Sequence, residues 1–494
     1  MDASQFHKLR PCGRLETYST ARHHLGFYNN VSLTATYVTS SDSAIPIQDL
    51  LFAALQHVVA GQPNLSAIPV NEDKSFPEVY LARLPDVDLR RCVEFHTRSY
   101  PIPRDDDVDT ELDKVLRQQH CLNFKSHIPG PYWRLIITSF PGVSQVLTAS
   151  WIFHHALADG ASAIIFHETL LEGLNKFGRA PMEKAERIVR APTIPLAPPL
   201  EDLHPMTITW PFFLRAVAGS LVPGYFKRAP WTGAPIAQSP SRSMTKHVIL
   251  SAENTRKFVA RCCEQETSVS AALSVLLAFA IFEVVDPLAD EINIGMPISL
   301  RPVLDLAERQ MVNAITNHTT TFRRSDLSDE DGDQDIWGIA RRVKGELTHE
   351  ISKKGVDSPV ALLKYVSNMG NFFNEKVGTQ RETTAEVSNL GVYRPQMTDP
   401  AETIGAPTRS LQVEDKREMW KIGRMVFSQS ANHVGPLISL NAVTGGDGCL
   451  VMSFSWPQDS PERPEGDERT LNPVPVLVEQ HILHFLRGRV NEAD

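Results

Sequence analysis

The chain has 494 residues, of which 42% are hydrophobic and 22% charged, and its net charge is −9. That length allows about two to four domains, and the composition is that of a soluble protein with enough apolar surface for sizeable cores. The negative charge argues against nucleic acid as a partner, because phosphate neutralisation needs a concentrated basic face, and there is no apolar run of about 18 residues to make a transmembrane helix.

The start, MDASQFHKLRPCGR, lacks the apolar core of a secretory signal, so a cytoplasmic setting is expected. The six cysteines, Cys12, Cys92, Cys121, Cys262, Cys263 and Cys449, show no CxxC or paired metal spacing and read as reduced thiols. Asn30, Asn64 and Asn317 each begin an Asn-x-Ser/Thr triplet and are read as chance matches. In STARHHLGFYNNV, the pair His23–His24 is followed by Leu-Gly-Phe, and nothing marks either as a base. Tyr18, Phe27 and Tyr28 beside it line a pocket or pack in a core, and packing is the preferred reading.

Residues 47–68 have helical apolar periodicity ending at a Gly-Gln-Pro stop, with strands expected near 66–81 and 87–95. The acidic stretch at 104–107 reads as a solvated loop. WRLIITS (133–139) and VLTASWIF (146–153) then give a hairpin signal around a Pro-Gly turn.

The second of these strands runs into HHALADG. His154 and His155 fall where a strand yields to a loop, a place where a rigid element fixes a side chain that the loop leaves accessible. Neighbours on an extended backbone point to opposite faces, so the two histidines are expected to do different jobs. A histidine suits general base work because its ordinary pKa lies near neutrality. Two satisfied core histidines, or a metal site of His154, His155, Asp159 and His167, are the competing readings. The metal reading lacks the spacing on one helix face that marks a zinc hydrolase. After the Asp-Gly turn, Ile164, Ile165, Leu170, Leu171 and Leu174 approximate a helix buried on one face.

Residues 178–246 are proline-dense between Pro192 and Pro205 and again between Pro230 and Pro240, which predicts extended connections. Within them, TWPFFLRAVAGSLVPGYF (209–226) is an amphipathic, aromatic-rich stretch. It reads as a helix over a domain junction, with weak peripheral membrane contact as the sharper alternative, although it lacks a strongly basic face. The expected organisation is therefore an N-terminal domain at 1–180, a crossover at 181–245 and a C-terminal domain at 246–494. The C-terminal half opens with a strand, a Ser-capped helix and a long apolar helix, followed by a strand in NIGMPISLRP (293–302). With no phosphate-binding glycine loop and no GxSxG elbow, nucleotide-dependent and serine-hydrolase chemistries have little support.

HHALADG matches the HHxxxDG signature, and in ordered company the chain resembles the fungal alcohol acetyltransferases. That company is LRPCGRLETYSTARHHLGFYNNV, GMPISLRP, EVSNLGVY and GPLISLNAVTGGDGCLVMSFSWP, spanning residues 9 to 457. The larger superfamily includes chloramphenicol acetyltransferase, the condensation domains and the BAHD enzymes. The DFGWG element of the BAHD group is not found, so that group's rules for substrate choice do not carry over.

The resemblance implies an α/β (α+β-layered) fold of two chloramphenicol-acetyltransferase-like domains forming a pseudo-dimer around a central channel. It implies a CoA-dependent transferase with no tightly bound cofactor, in which acetyl-CoA is co-substrate and a small alcohol or amine is acceptor. His155 would be the base in a direct ternary mechanism, and His154 a positioning residue. Asp159 would pair with an arginine, for which Arg301 is the candidate, and Gly160 would give a tight turn and close backbone approach. Ser388, Asn389 and Gly391 would bind the oxyanion or the pantetheine arm unless they are simply a turn. Asn441 and Trp456 are further channel candidates. A monomer is expected, and contact with the endoplasmic reticulum or lipid droplets stays open. A condensation-type enzyme using a carrier-protein thioester and a repurposed non-transferase are the competing readings.

Overall fold

The computed structural model describes residues 5–40, 45–104, 107–125, 130–178, 185–221, 230–238, 242–327, 336–394, 420–458 and 471–487. Asp105 and Asp106 of the acidic stretch, residues 222–226 of the aromatic stretch and Pro240 lie outside them.

The first strands are β1 (His7–Pro11), β2 (Val31–Val38), β3 (Ala67–Val70), β4 (Tyr80–Arg83) and β5 (Asp86–Asp88). They are followed by β6 (Val93–Thr97), β7 (Trp133–Ser139), β8 (Val146–Phe153) and β9 (Ile188–Arg190). The later strands are β10 (Ser243–Leu250), β11 (Glu291–Ser299), β12 (Ile315–Arg323), β13 (Ala385–Val392), β14 (Lys421–Gln429), β15 (Ile438–Thr444) and β16 (Leu450–Pro457). The helices begin with α1 (Arg14–His24), α2 (Ile47–Gly61), α3 (Thr110–His120), α4 (Gly160–Phe177), α5 (Leu200–Leu203) and α6 (Trp210–Leu221). The remainder are α7 (Ala252–Glu264), α8 (Val269–Val284), α9 (Ile336–Ser352), α10 (Met369–Asn374) and α11 (Val474–Arg487).

Two mixed sheets organise the molecule. The first has the order β14-β2-β8-β7-β6 and the second β10-β16-β15-β13-β11-β12. Smaller sheets pair β1-β4-β3 and β5-β9. The hairpin expected at 133–139 and 146–153 forms over those residues, Trp133 opposite Phe153. Alternation along β8 sends Leu147, Ala149, Trp151 and Phe153 into a core shared with α2 and α4. Thr148 and Ser150 take the other face, where Thr34 Oγ1 donates to Ser150 Oγ at 2.7 Å.

The second sheet repeats the scheme. Leu440, Met452, Phe454 and Trp456 pack under α8 and α11. α8 is buried around most of its circumference, as befits a helix that is apolar all round. The opposite face carries Thr245, His247, Ser453, Ser455 and Asn441, and it turns toward the N-terminal half. There His247 Nδ1 meets Asp113 of α3, and Ile249 and Val451 pack with Leu112, Leu116 and Val426. The fold is thus a mixed α/β pseudo-dimer, each half a sheet with its helices on the outside. Among the described residues no single helix is long and apolar enough to cross a membrane.

Three sequence expectations change. The stretch 66–81 is not one strand: β3 ends at Val70 and β4 starts at Tyr80, with a turn between. The crossover 181–245 holds the helix expected within 209–226, as α6, but it also contains β9, which pairs with β5, as well as α5 and the first residues of β10. Finally β14, which a division at residue 246 places in the C-terminal half, completes the N-terminal sheet by pairing antiparallel with β2. The turn at Gly445–Gly446 lies under β14, and the Gly446 N–H donates to the Gly423 carbonyl at 2.7 Å. A Cβ on Gly446 would collide with the carbonyl of Ile422.

Candidate active site

β8 stops at Phe153, and the HHALADG loop that follows is gripped from both halves. The Asp159 N–H donates to Val312 O at 3.2 Å, Asn64 Nδ2 donates to Leu157 O at 2.6 Å and to Met311 O at 3.1 Å, and Asn313 Nδ2 donates to His155 O at 2.8 Å.

The two histidines point to different surroundings. His154 is 1% exposed. Its Nδ1 accepts the Ala156 N–H at 3.0 Å, which puts the ring proton of the neutral form on Nε2, 3.6 Å from Glu72 Oε2. Burial lowers its pKa to about 4, with His23 adding to the effect. His23 is held the same way. Its Nε2 accepts the Phe124 N–H at 3.0 Å, so Nδ1 carries the proton and donates to Glu72 Oε2 at 2.8 Å. Tyr132 Oη donates to Glu72 Oε1 at 2.9 Å. Burial by itself would raise the Glu72 carboxyl, but the two imidazoles outweigh it and hold it well below the usual carboxylate range.

His23, Glu72 and His154 converge as a metal trio would. The nitrogens facing the carboxylate are the protonated ones, however, whereas a metal needs their lone pairs. The trio fits a hydrogen-bonded carboxylate. The metal quartet weighed from sequence is dispersed, since His167 bonds Leu33 O and Tyr37 Oη inside the core and Asp159 is taken up by Arg301.

His155 keeps partial exposure. Nδ1 is sealed from solvent without a well-formed hydrogen bond, and of the two ring nitrogens only Nδ1 is so sealed. Its pKa is lowered to about 4, first by desolvation and then by the Arg22 cation. The carbonyl of His155 itself, the Asp159 charge and the Ala158 carbonyl pull the other way. Only Nδ1 can approach the residue's own carbonyl, so a proton is favoured there and the lone pair sits on Nε2. The Tyr28 ring lies 6.0 Å from the His155 ring, and Tyr28 Oη donates to Gln429 Oε1 at 2.5 Å. Gln429 Nε2 in turn donates to Glu386 Oε1 at 3.0 Å, linking β14 to β13.

Asp159 caps α4, accepting the Ser162 N–H and Oγ–H on Oδ1, both at 2.8 Å. Arg301 Nη2 donates to the same Oδ1 at 2.9 Å and Nε to Oδ2 at 3.3 Å. Arg301 also donates to Ser162 Oγ, Gln310 O and Val312 O. This assembly fixes the loop and leaves Asp159 no free oxygen with which to orient His155. Gly160 has no special backbone angle: it is the first residue of α4, and a Cβ there would meet the tip of the Leu390 side chain of β13.

The remaining candidates divide. Gly391 has φ +79° in a bulge of β13, where its N–H donates to Asn389 Oδ1 at 2.8 Å. Asn389 Nδ2 donates to Ser270 Oγ at 3.1 Å, so this amide ties the bulge together. Ser388 lies opposite Asn441 on the face toward the N-terminal half, and its hydroxyl bonds no described residue. Asn441 is fully buried with Oδ1 unpaired. Trp456 is a correction. Strand alternation turns it to the opposite face, where it packs in the helix-covered core and lines no channel.

Of the three aromatics near His23, Tyr18 and Phe27 pack around α10 while Tyr28 stands beside His155. Arg22, Glu72, Asn313, Glu386 and Gln429 were not legible as site residues: Arg22 and Glu386 fall inside segments that carry the resemblance, where nothing singles them out, the other three lie in no motif, and all five are more than 80 residues from HHALADG. A small concavity between Thr34, Thr148, His247 and Arg424 shares no residue with the motif.

The chain that carries this site is similar in sequence and in fold to known proteins. The sequence pattern of the alcohol acetyltransferases matches residues 102–468. The chain belongs to the alcohol acetyltransferase family. It is 33% identical over 464 residues to crmB, a probable alcohol acetyltransferase of Aspergillus fumigatus, covering 90% of this chain and 94% of that one. It is 23% identical over 478 residues to FCK4, a probable alcohol acetyltransferase of Fusarium pseudograminearum, covering 91% and 90%.

Among solved structures, a trichothecene 15-O-acetyltransferase from Fusarium sporotrichioides superposes with a TM-score of 0.67 at 12% identity, over 96% of this chain and 94% of that one. The first condensation domain of the calcium-dependent antibiotic synthetase superposes with a TM-score of 0.57 at 14% identity, over 98% and 96%. These two likenesses establish the shared pseudo-dimer fold. The family establishes that this alcohol acetyltransferase relative is an acyltransferase enzyme.

Proposed function

We propose that the protein moves an acetyl group from acetyl-CoA to an alcohol by direct attack, with His155 as general base. The observation that carries this is the state of His155: Nδ1 sealed, Nε2 not, and a pKa of about 4 that keeps the ring neutral at cellular pH. Nε2 takes the acceptor's hydroxyl proton as its oxygen attacks the thioester carbonyl carbon. The tetrahedral intermediate then collapses, the C–S bond breaks, and the imidazolium returns the proton to the departing thiolate. Ser388, whose hydroxyl is unclaimed by the described residues, is our candidate donor to the developing oxyanion. Asp159 and Arg301 hold the loop. Both halves contribute to the site within one chain, which supports a monomer as the working unit.

Thiol release from acetyl-CoA, measured across a panel of alcohols, tests the reading. His155→Ala is expected to lose about 10²- to 10⁴-fold in acceptor-dependent release. Because the neutral ring is the active form, kcat/KM should stay level from neutrality down past 6.5 and fall as pH drops toward about 4. Release that persists in His155→Ala would remove this residue from the chemistry.

A further inference from the structure

Arg22 is 8% exposed, yet among the described residues it has neither an ion pair nor a side-chain hydrogen bond. Its guanidinium lies over the Tyr18 ring at 4.4 Å and over the Tyr28 ring at 4.6 Å. Nε is buried and unpaired, while its Nη groups are not among the sealed atoms. Arg98, Arg381 and Arg301 each have side-chain partners, Asp109 and Tyr100 O for Arg98, the carbonyls of residues 432, 433 and 435 for Arg381 and Asp159 for Arg301, although Arg98 Nη1 and Arg381 Nε are themselves unpaired. Cation–π contact with two tyrosines falls short of the cost of withdrawing a guanidinium from water. Glu386, a buried acid that feels the Arg22 charge, forms no ion pair with it, and its Oε1 is engaged by Gln429. Burial raises its carboxyl, which weakens it further as a counter-charge.

The position matters as much as the vacancy. Arg22 and His155 flank the same Tyr28 ring. A fixed cation there opposes formation of the imidazolium that base catalysis requires, unless an anion accompanies the substrate. We propose that Arg22 docks an anionic oxygen group, carboxylate or phosphate, of a substrate bound at His155. The planar guanidinium, held against two tyrosine rings, suits two-point recognition of such a group. The proposal rests on the acyl-transfer reading of this site. The group belongs either to the acceptor, which is then a hydroxy acid, or to the CoA donor.

Calorimetric binding to the full-length protein, without turnover, separates these sources. The acceptor arm compares 3-hydroxybutyrate and 4-hydroxybenzoate with their methyl esters; the donor arm compares CoA with 3′-dephospho-CoA. The wild type is expected to prefer the anionic member of one pair at least tenfold, and Arg22→Met to erase that preference, with Arg22→Lys retaining part of it. The base pKa in the kcat/KM profile should also rise in Arg22→Met, a change that lost packing alone would not cause. No preference in either pair, or equal weakening of both members, overturns the proposal. Should Arg22→Met fail to fold, wild-type preference and Arg22→Lys decide. A clear preference without thiol release would leave Arg22 standing and sink the transferase reading instead.

Discussion

At the scale of single residues, the Asp159–Arg301 contact carries the sharpest expectation. Asp159 is 2% exposed and depends on Arg301 for its only cationic partner among the described residues. Removing the guanidinium leaves a buried charge supported only by Ser162 and the Ala314 N–H. Arg301→Ala is therefore expected to cost about 3–5 kcal/mol in denaturant unfolding, and the added change Asp159→Asn should recover part of it. A single-variant loss under about 1 kcal/mol, the size of an exposed ion pair, would place the pair outside the architecture of the loop. The sequence pointed to this pair through a family resemblance; composition and spacing alone could not, because 142 residues separate the partners. It could not reveal Glu72, which sits in no motif and meets His23 and His154 only when three separate segments close on one another.

Among elements, the HHALADG loop owes its shape to the packing of α4, which it caps. Gly173 of α4 faces Ala54 of α2 so closely that a Cβ would stand 2.8 Å from the Ala54 Cα. Backbone cannot yield as a side-chain tip can, so Gly173→Ala should destabilise by about 1–3 kcal/mol through overpacking. An unchanged urea midpoint would show that the two helices separate without penalty. Periodicity predicted both helices and the 133–153 hairpin well, because each buries a single face against a core. It failed at β3 and β4, which are too short to declare a period, and at β9, whose partner lies about a hundred residues earlier. The same alternation that placed Ser388 and Asn441 toward the N-terminal half placed Trp456 away from it.

For the whole molecule, the buried neutral histidines predict acid sensitivity. Burial lowers His120 to about 3 and His154 and His167 to about 4. His120, at the end of α3, ties that helix to the N-terminal sheet by bonding Asn30 Oδ1, just before β2, and Ser428 Oγ of β14. Below the ordinary histidine value near 6.5 the unfolded chain takes up protons that the folded chain refuses, so stability falls as pH drops from about 6.5 toward 4 and is level above 7. Glu168 and Glu386, raised by burial, offset part of this at the lower end. Melting temperatures at pH 4.5, 5.5, 6.5 and 7.5 would decide it, and a flat series would mean that these imidazoles titrate without resistance from the fold.

The sequence by itself determined the local elements, the HHxxxDG loop and the family, since each is written in contiguous residues whose periodicity or spacing survives without tertiary context. Only the tertiary structure decided which strand completes which sheet, which polar atoms are left unpaired, and which cation stands beside His155. Those outcomes depend on burial and on contacts between segments far apart in the chain. A charge such as that of Arg22 acquires its meaning only when the surrounding protein has excluded water and supplied no partner.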